Sequence, residues 1–243
     1  MKAIARWIGL VVLAFIALQL FFLLRIAAMT VVDPQSTTFQ RSEAYRIATE
    51  KDKLRWRQQW VPYEQISDNL KRAVIAAEDG SFVNHDGVDW DALEKAWERN
   101  AKAEELAAKR AQLAPTRARA PKIVGGSTIT QQLAKNLLLS GERTMLRKGQ
   151  EIVLTFALEQ MLTKQRILEI YLNNVEWGEG VFGAEAAAQH YHRKGANRLS
   201  SYEAARLAVM LPQPKRFEKL PGSGYIAGRA STIVARMRDA ELP

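Results

Sequence analysis

The sequence contains no cysteine, which excludes a disulfide framework, a thiol nucleophile and a thiolate metal site. Histidine is almost as scarce, since three residues in a chain of 243 form no histidine cluster for a metal ion. Glycine and proline are also few, with 14 and 8 residues, whereas 47% of the chain is hydrophobic. This is not the composition of a disordered protein, and the chain is long enough to bury one sizeable core.

Acidic residues are the minority among the charged ones. The chain has 35 Lys and Arg against 26 Asp and Glu, a formal net charge of +9. An excess of this sign implies an anionic partner, which could be nucleic acid, a phospholipid surface or a phosphorylated substrate. The charge alone does not choose among the three.

One run of the sequence is apolar for long enough to cross a bilayer. Residues 8–24 read IGLVVLAFIALQLFFLL and are apolar except for Gln19. At ~1.5 Å per residue the run covers most of a hydrocarbon core of ~30 Å, and the guanidinium of Arg25 can reach the interface. A cleaved signal peptide is the alternative, but its apolar region is usually only about 7–15 residues, and the following RIAAMTVVD contains no A-x-A site. We predict an uncleaved transmembrane anchor over residues 1–32.

The short N-terminal tail carries Lys2 and Arg6, which favour a cytoplasmic N-terminus. The rest of the chain is then outside the cytoplasm, which argues against nucleic acid as the partner. Residues 33–55 read as a polar stalk, and residues 56–243 as the main domain.

Apolar residues at intervals of three and four predict helices throughout the main domain, and no alternating strand pattern competes. The fold class is therefore mainly α. The strongest helical segments are YEQISDNLKRAVIAAED, GGSTITQQLAKNLLLS, RKGQEIVLTFALEQML, KQRILEIYLNN and SSYEAARLAVML. Residues 95–122 are rich in Ala and charge and become basic towards the end. They are interpreted either as a solvated helix and loop or as a mobile segment close to an anionic membrane.

The stretch AAEDGSFVNHDGVDW, residues 76–90, places Glu78 and Asp79 where a helix gives way to a turn. The apolar residues before them would withdraw the Glu78 carboxylate from water, and desolvation raises the pKa of a carboxyl. Glu78 is thus a candidate general base. The alternatives are a solvated pair of acids at a helix end and a calcium loop, whose ligand spacing is missing. His85 alone is more typical of a structural hydrogen bond than of a metal ligand.

The second candidate segment is a helix that should begin near Ser127. Thr128, Gln132 and Lys135 would form a polar stripe on it, between apolar positions. The helix N-terminus behind a glycine pair could bind an anion, to which a nearby lysine would add charge. An ordinary exposed polar face is the alternative.

In the third segment, ERTMLRKGQEIVLTFALEQ, Arg143, Arg147 and Glu151 follow one another at intervals of four residues on one helical face. By itself this pattern is typical of a salt-bridged surface helix, where such pairs contribute only ~0.3–0.5 kcal/mol. Together, an acid at a turn, a cationic anion seat and a second acid among arginines fit acid–base chemistry on a hydroxyl with a phosphate leaving group.

The motifs together resemble those of the peptidoglycan glycosyltransferases, family 51 of the glycosyltransferases, in their monofunctional membrane-anchored form. The matching segments are EDGSFVNHDG, GGSTITQQLAKNLLLS, RKGQE, KQRILEIYLNNVEWGEGVFG and EAARLAVMLPQP, in family order over residues from about 60 to 215. No S-x-x-K motif of a penicillin-binding transpeptidase domain is present. Gln150 departs from the family pattern, because many relatives have a further lysine there.

The resemblance implies a lysozyme-like, two-lobed, mainly α fold that extends glycan strands from lipid II and has no transpeptidase activity. It implies that Glu78 takes the proton of the acceptor sugar 4-hydroxyl, and that Glu151 assists at the donor site. Cations at Lys135, Arg143 and Arg147 would hold the diphosphate, together with a divalent metal, Mg or Mn, for which the sequence assigns no ligands. The remaining residues implied at the substrate site are Asp79, Phe82, His85, Thr128 and Gln132.

The resemblance also implies the surroundings of the protein. The expected partners are lipid II, the growing glycan strand, membrane lipids and other cell-wall synthesis proteins, with no nucleic acid. The expected location is the inner membrane, crossed once, with the catalytic domain in the periplasm. Two other functions stay open: a lysozyme-like lytic enzyme, which needs a catalytic Glu but no diphosphate seat, and a membrane-tethered scaffold, which needs neither.

Overall fold

The computed structural model describes residues 2–51, 54–113, 125–142 and 144–243, and over these residues the fold is mainly α, as predicted. The helices are α1 (Lys2–Ala28), α2 (Thr38–Glu50), α3 (Asp68–Glu78), α4 (Trp90–Leu113), α5 (Ile129–Leu138), α6 (Met145–Met161), α7 (Lys164–Asn174), α8 (Ala184–His192), α9 (Ser201–Met210), α10 (Pro214–Phe217) and α11 (Gly224–Arg236). Short 3-10 turns lie at Tyr63–Gln65, Phe82–Asn84 and Ala196–Arg198.

Apolar faces at helical spacing build one continuous core. Helix α3 packs on α9, α9 packs on α11, and α5 packs on both α6 and α7. Leu70, Leu133 and Leu168 are each at most 1% exposed, and complete burial of such a side chain contributes about 2 kcal/mol. Side-chain caps begin several of the helices; the Ser67 hydroxyl, for example, accepts a hydrogen bond from the amide of Leu70 at the start of α3.

A small sheet lies beside the helices, and the sequence does not predict it. Its strands are β1 (Arg57–Gln58), β2 (Glu176–Gly178) and β3 (Val181–Phe182), in the order β1-β3-β2. β3 pairs parallel to β1 and antiparallel to β2. Gly180 makes the tight β2–β3 turn with a φ of +72°, and a Cβ there would lie 1.9 Å from the carbonyl oxygen of Arg55. Strands of two or three residues are too short for an alternating pattern to show.

Helix α1 has 27 residues and is long and apolar enough to cross a membrane, as expected of an anchor. Most of its side chains are exposed, which suits contact with lipid. One face near its C-terminal end is different, because Phe22 and Ile26 are buried and belong to the core of the domain, as does Met29 directly after the helix. The anchor is thus packed against the domain that follows it.

Residues 33–55 do not form the separate polar stalk that their composition predicts. They contain α2, which packs on α5, and Thr37, Gln40 and Ile47 are at most 2% exposed. The polar side chains can be buried because Thr37 and Gln40 satisfy each other in a capping box, and the Gln40 side-chain amide also donates to the carbonyl oxygen of Asn174. Polarity therefore misleads the prediction here.

Arg166 of α7 ties the connection after the anchor to the domain. Its Nε donates to the carbonyl oxygen of Met29 over 2.8 Å, and its Nη2 lies 2.7 Å from Oδ1 of Asp33. One guanidinium thus binds both ends of the connection from Met29 to Asp33 and fastens them to α7.

Residues 95–122 lie partly on helix α4, whose side chains are mostly exposed. Trp90 and Trp97 are 61% and 76% exposed. The basic part of the segment, residues 114–122, lies outside the described residues. The expected mobility of the segment stays a prediction.

Candidate active site

Glu78 is the last residue of α3, and its half-buried carboxylate follows the buried residues Val74 to Ala76. Nε2 of Gln132 donates to Oε2 of Glu78 over 2.8 Å. Burial raises the pKa of Glu78; the hydrogen bond from Gln132 opposes this shift, and the neighbouring charge of Asp79 adds to it. A carboxylate with a raised pKa that still accepts a hydrogen bond is suited to take a proton from a hydroxyl.

Gln132 is itself held by Tyr171 of α7. The Tyr171 hydroxyl donates to Oε1 of Gln132 over 3.1 Å. Burial, and then the charges of Glu78 and Asp79, raise the pKa of Tyr171 well above its usual value, so the phenol keeps its proton. The amide oxygen of Gln132 therefore faces Tyr171 and its NH2 group faces Glu78. Sequence reasoning missed Tyr171, because the pattern of KQRILEIYLNN indicates only a helix and no partner for its tyrosine.

Asp79 binds groups from two other parts of the chain. Its Oδ1 lies 2.9 Å from Nε2 of His85, and its Oδ2 accepts the backbone N–H of Ile129 over 3.0 Å. His85 Nδ1 accepts the N–H of Gly87, so the ring proton is on Nε2 and is donated to Asp79. The Asp79 side chain is only 2% exposed.

The anion-binding helix end that the sequence predicts near Ser127 is therefore occupied by the protein's own carboxylate. Helix α5 begins at Ile129, with Thr128 as its N-cap, and Asp79 receives the first free N–H group of the helix. The structure thus gives Asp79 and His85 protein partners and a structural role. This helix end is not available to a substrate phosphate.

Thr128 and Phe82, both implied at the substrate site, are buried. The Thr128 hydroxyl donates to the carbonyl oxygen of Gly87 and accepts from the amide of Gln131, with the residue 3% exposed. Phe82 is 0% exposed and lies in the core. Both residues hold the loop between α3 and α4 in place.

Sequence reasoning also missed a cluster of Lys164, Glu159 and Thr130 that binds the loop between α3 and α4. The Lys164 ammonium donates to the carbonyl oxygen of His85 over 2.6 Å and to Oε1 of Glu159 over 2.9 Å. It also lies 4.6 Å from the centre of the Phe82 ring, a cation–π contact. Thr130 of α5 donates to the same oxygen of Glu159. The loop after Glu78 is therefore fixed to α5, α6 and α7.

Glu151 lies on α6 with two cations on its carboxylate. Arg147 Nη1 is 2.8 Å from Oε2 and Lys148 Nζ is 2.5 Å from Oε1, while the Glu151 side chain is 4% exposed. The predicted pair of Arg147 and Glu151 is present. Lys148 was not among the predicted site residues, although its spacing of three residues from Glu151 could have identified it. Two cations on one carboxylate leave a net positive charge at the start of α6.

Lys135 is exposed on α5, one turn after Gln132, and the two share a helical face. Arg143 lies outside the described residues. The structure thus brings Gln132 to Glu78 and Arg147 to Glu151, on helices α5 and α6 that pack together.

A divalent metal does not fit the three described side chains that lie close enough to share one. Asp79, His85 and Asp89 have ligand atoms within 4.8 Å of one another. The oxygens of Asp79 are taken by His85 and Ile129, and those of Asp89 by the Ser81 hydroxyl and the amide of Ala92. These hydrogen bonds explain the cluster without an ion.

The sequence matches a known family over most of its length. A family model described as transglycosylase matches residues 45–238. The chain belongs to the transglycosylase family. The resemblance, the lysozyme-like mainly α fold and the assignment as a glycosyltransferase are thereby confirmed.

Curated relatives of the family resemble the chain along its whole length. A protein of Burkholderia thailandensis is 50% identical over 246 residues, which cover 100% of this chain and 90% of the relative. Proteins of Burkholderia pseudomallei and Paraburkholderia xenovorans are 49% and 48% identical, and cover 100% and 98% of this chain and 90% and 94% of their own lengths. All three relatives are named biosynthetic peptidoglycan transglycosylase.

Proposed function

We propose that this transglycosylase polymerises lipid II into glycan strands by direct attack of an acceptor hydroxyl on the lipid-linked donor. The observation that carries the proposal is the Glu78 carboxylate, which lies half-buried at the end of α3 and is oriented by Gln132. The relatives named biosynthetic peptidoglycan transglycosylase support the choice of substrate class.

Glu78 acts as the general base. It takes the proton of the acceptor sugar 4-hydroxyl while that oxygen forms a bond to the anomeric carbon of the donor. The bond from that carbon to the phosphate oxygen breaks, and undecaprenyl diphosphate leaves with the electron pair, so the configuration inverts. Gln132 aims the Glu78 carboxylate, and its NH2 group favours the ionised form against the effect of burial on the pKa of Glu78.

The leaving diphosphate needs positive charge more than it needs a proton. Arg147 and Lys148 lie on α6, where the buried Glu151 carboxylate fixes their positions. Together with Lys135 and Arg143 they would neutralise the charge that develops on the diphosphate oxygens. Glu151 assists at the donor site by holding Arg147 and Lys148 in place. Its single negative charge offsets only one of these two positive charges.

A divalent ion, Mg or Mn, would add to this neutralisation when bound to the diphosphate, whose oxygens such ions prefer. Asp79, His85 and Asp89 are committed to protein partners. We therefore assign no protein ligand to the ion, and the steps above use only the side chains of the chain.

The location follows from the substrate. We propose that α1 crosses the inner membrane once with its N-terminus in the cytoplasm, which places the catalytic domain in the periplasm. Segment 95–122 would lie against the bilayer, because Trp97 is 76% exposed on α4 and aromatic rings favour the membrane interface. Membrane lipids and the growing strand would then be partners, with other cell-wall synthesis proteins as further candidates.

The test is polymerisation by the full-length protein in detergent, with labelled lipid II and a divalent metal, and with the products separated on a gel. A ladder of glycan polymers is expected from the native chain, and none from Glu78→Gln, which keeps the shape of the side chain but cannot take the proton. Glu241→Gln is the matched control, because the same change is made at an exposed position.

Two results would contradict the proposal. Release of fragments from preformed sacculi, without polymer, would indicate a lytic enzyme. Inactivity in both assays, or equal polymerisation by Glu78→Gln, would leave Glu78 without a catalytic role.

A further inference from the structure

The one polar residue in the apolar run of the anchor has a partner in the catalytic domain. Nε2 of Gln19 donates to Oε1 of Gln150 over 3.1 Å, and Nε2 of Gln150 donates back to Oε1 of Gln19 over 2.9 Å. Each amide satisfies the other with one donor and one acceptor. The two residues are 131 positions apart in the sequence.

The depth of the pair follows from placing Arg25 at the membrane interface, since the pair is only partly buried by the protein itself. Gln19 is six residues before Arg25, so it is about 9 Å below the level of that arginine along a helix that rises ~1.5 Å per residue. With Arg25 at the interface, Gln19 and Gln150 lie within the hydrocarbon core. An unpaired amide costs more there than in water, so the pairing is strongly favoured.

Other residues of both helices agree with this depth. On α1, Phe22 and Ile26 lie on the same face as Gln19 and are buried against the domain. On α6, Leu146 and Val153 lie on the face of Gln150 and are 89% and 55% exposed. An exposed apolar face beside a half-buried amide pair is what a helix partly immersed in lipid requires.

Gln150 is also the residue before Glu151, on the turn of α6 that carries Arg147 and Lys148. A contact that fixes Gln150 therefore also fixes the depth of α6 in the membrane and its rotation about its own axis. It thereby positions Arg147 and Lys148, which the proposed function assigns to the diphosphate. A lysine at this position could not return the hydrogen bond of Gln19, since an ammonium group accepts none.

We propose that Gln19 and Gln150 form a latch that docks the anchor helix on α6 inside the membrane, and that Gln19 is a positioning residue for the site. It touches no substrate and acts through α6. The anchor is then part of the catalytic unit. This inference rests on the proposed function, which names the substrate that α6 meets.

Contact between the two positions can be tested without an activity assay. The chain has no cysteine, so Gln19→Cys with Gln150→Cys introduces the only two thiols. A bifunctional thiol reagent about as long as two glutamine side chains should join them in lipid nanodiscs. Ala17→Cys with Gln150→Cys is the matched control, because residue 17 is about 200° around the helix from residue 19. Equal joining of both pairs would overturn the docking.

Positioning is tested by kinetics on lipid II with Gln19→Leu, Gln150→Leu and the double variant. Each single change should lower kcat by about 3- to 20-fold, the range expected from the loss of an interhelical hydrogen bond in a membrane, with a smaller change in KM. The double variant should lose no more than one single variant, because both residues act through one pair.

Losses that multiply in the double variant, or single variants with native kcat, would overturn the latch. These results are distinct from a failure of the proposed function, in which the native chain itself would make no polymer. In that case the thiol experiment still decides whether the anchor docks.

Discussion

The Tyr171 hydroxyl and the Gln132 side-chain oxygen are joined by a hydrogen bond of 3.1 Å, deep in the core beneath Glu78. Because the tyrosine can only donate to that oxygen while it stays protonated, the opposite end of the amide is presented to Glu78. A buried residue of α7 thus sets the environment of the proposed base on α3, through a third helix.

Replacing Gln132 by methionine should shift the pH dependence of polymerisation. The lost hydrogen bond stabilised the ionised form of Glu78, so the pKa of Glu78, already raised by burial, should rise further. A base works when deprotonated, so the acid limb of kcat/KM should move to higher pH. Tyr171→Phe should move the limb in the same direction by less, since Gln132 remains. An unchanged limb in Gln132→Met would contradict the role given to the amide.

Glu176 on β2 should make stability depend on pH. Glu176 is 6% exposed, and burial raises its pKa to about 7. Its Oε1 lies 3.6 Å from the ammonium of Lys215, which also contacts Glu43. A raised pKa means that the folded state binds the proton more tightly, so stability falls as pH rises from about 4.5 to about 7. Glu176→Gln should therefore be more stable than the native chain at pH 8, by up to about 3 kcal/mol.

The measurement is thermal unfolding of both chains at pH 4 and pH 8. The gain should be absent at pH 4, where the native carboxyl is already protonated. Glu241→Gln, at an exposed position, should show no pH-dependent difference. Equal melting temperatures of Glu176→Gln and the native chain at pH 8 would show that Lys215 fully compensates the buried charge.

Gly87→Ala should destabilise the loop after Glu78. Gly87 has a φ of +89°, and a Cβ there would lie 2.6 Å from Cγ2 of Thr155. Strain and the clash together should lower the free energy of unfolding by about 2–4 kcal/mol. Gly80→Ala in the same loop is the control, because no atom lies within 4 Å of its Cβ position, and it should change stability by only a few tenths of a kcal/mol. Denaturant unfolding of both variants gives the comparison.

Lys148→Met should weaken transfer, although Lys148 was not among the residues implied by the resemblance. It removes one of two cations on the Glu151 carboxylate, and with it positive charge that the proposed function assigns to the diphosphate. We expect kcat/KM for lipid II to fall roughly tenfold or more. Lys148→Arg keeps the charge and should recover much of the loss. If Met and Arg at this position behave alike, the ammonium has no electrostatic role.

The sequence was sufficient for features that depend on neighbours in the chain. The spacing of apolar residues located α3, α5, α6, α7 and α9. Helical periodicity is a local property of the sequence, and the apolar positions that it marks are the ones that pack into the core. The position of Glu78 at the end of an apolar helix was also predicted, and the structure raises its pKa for the expected reason.

Features that depend on distant partners were missed or misread. Asp79 closes the N-terminus of α5 from 50 residues away, so a helix end that looked open to phosphate is closed. The polar residues of α2 looked like a stalk because their partners, among them Asn174, cannot be seen in a local pattern. Tyr171 and Lys164 belong to the site only through tertiary contacts.

The grip of Arg166 on Met29 and Asp33 has a consequence for where the enzyme can work. A domain on a flexible linker can reach a volume that grows with the length of the linker. Here the first residues after the anchor are bound to α7 of the catalytic domain. With α1 spanning the bilayer as proposed, the distance from the membrane at which the domain can act is set by its own height. We therefore expect it to act on substrates held in the membrane and not on finished wall beyond that distance.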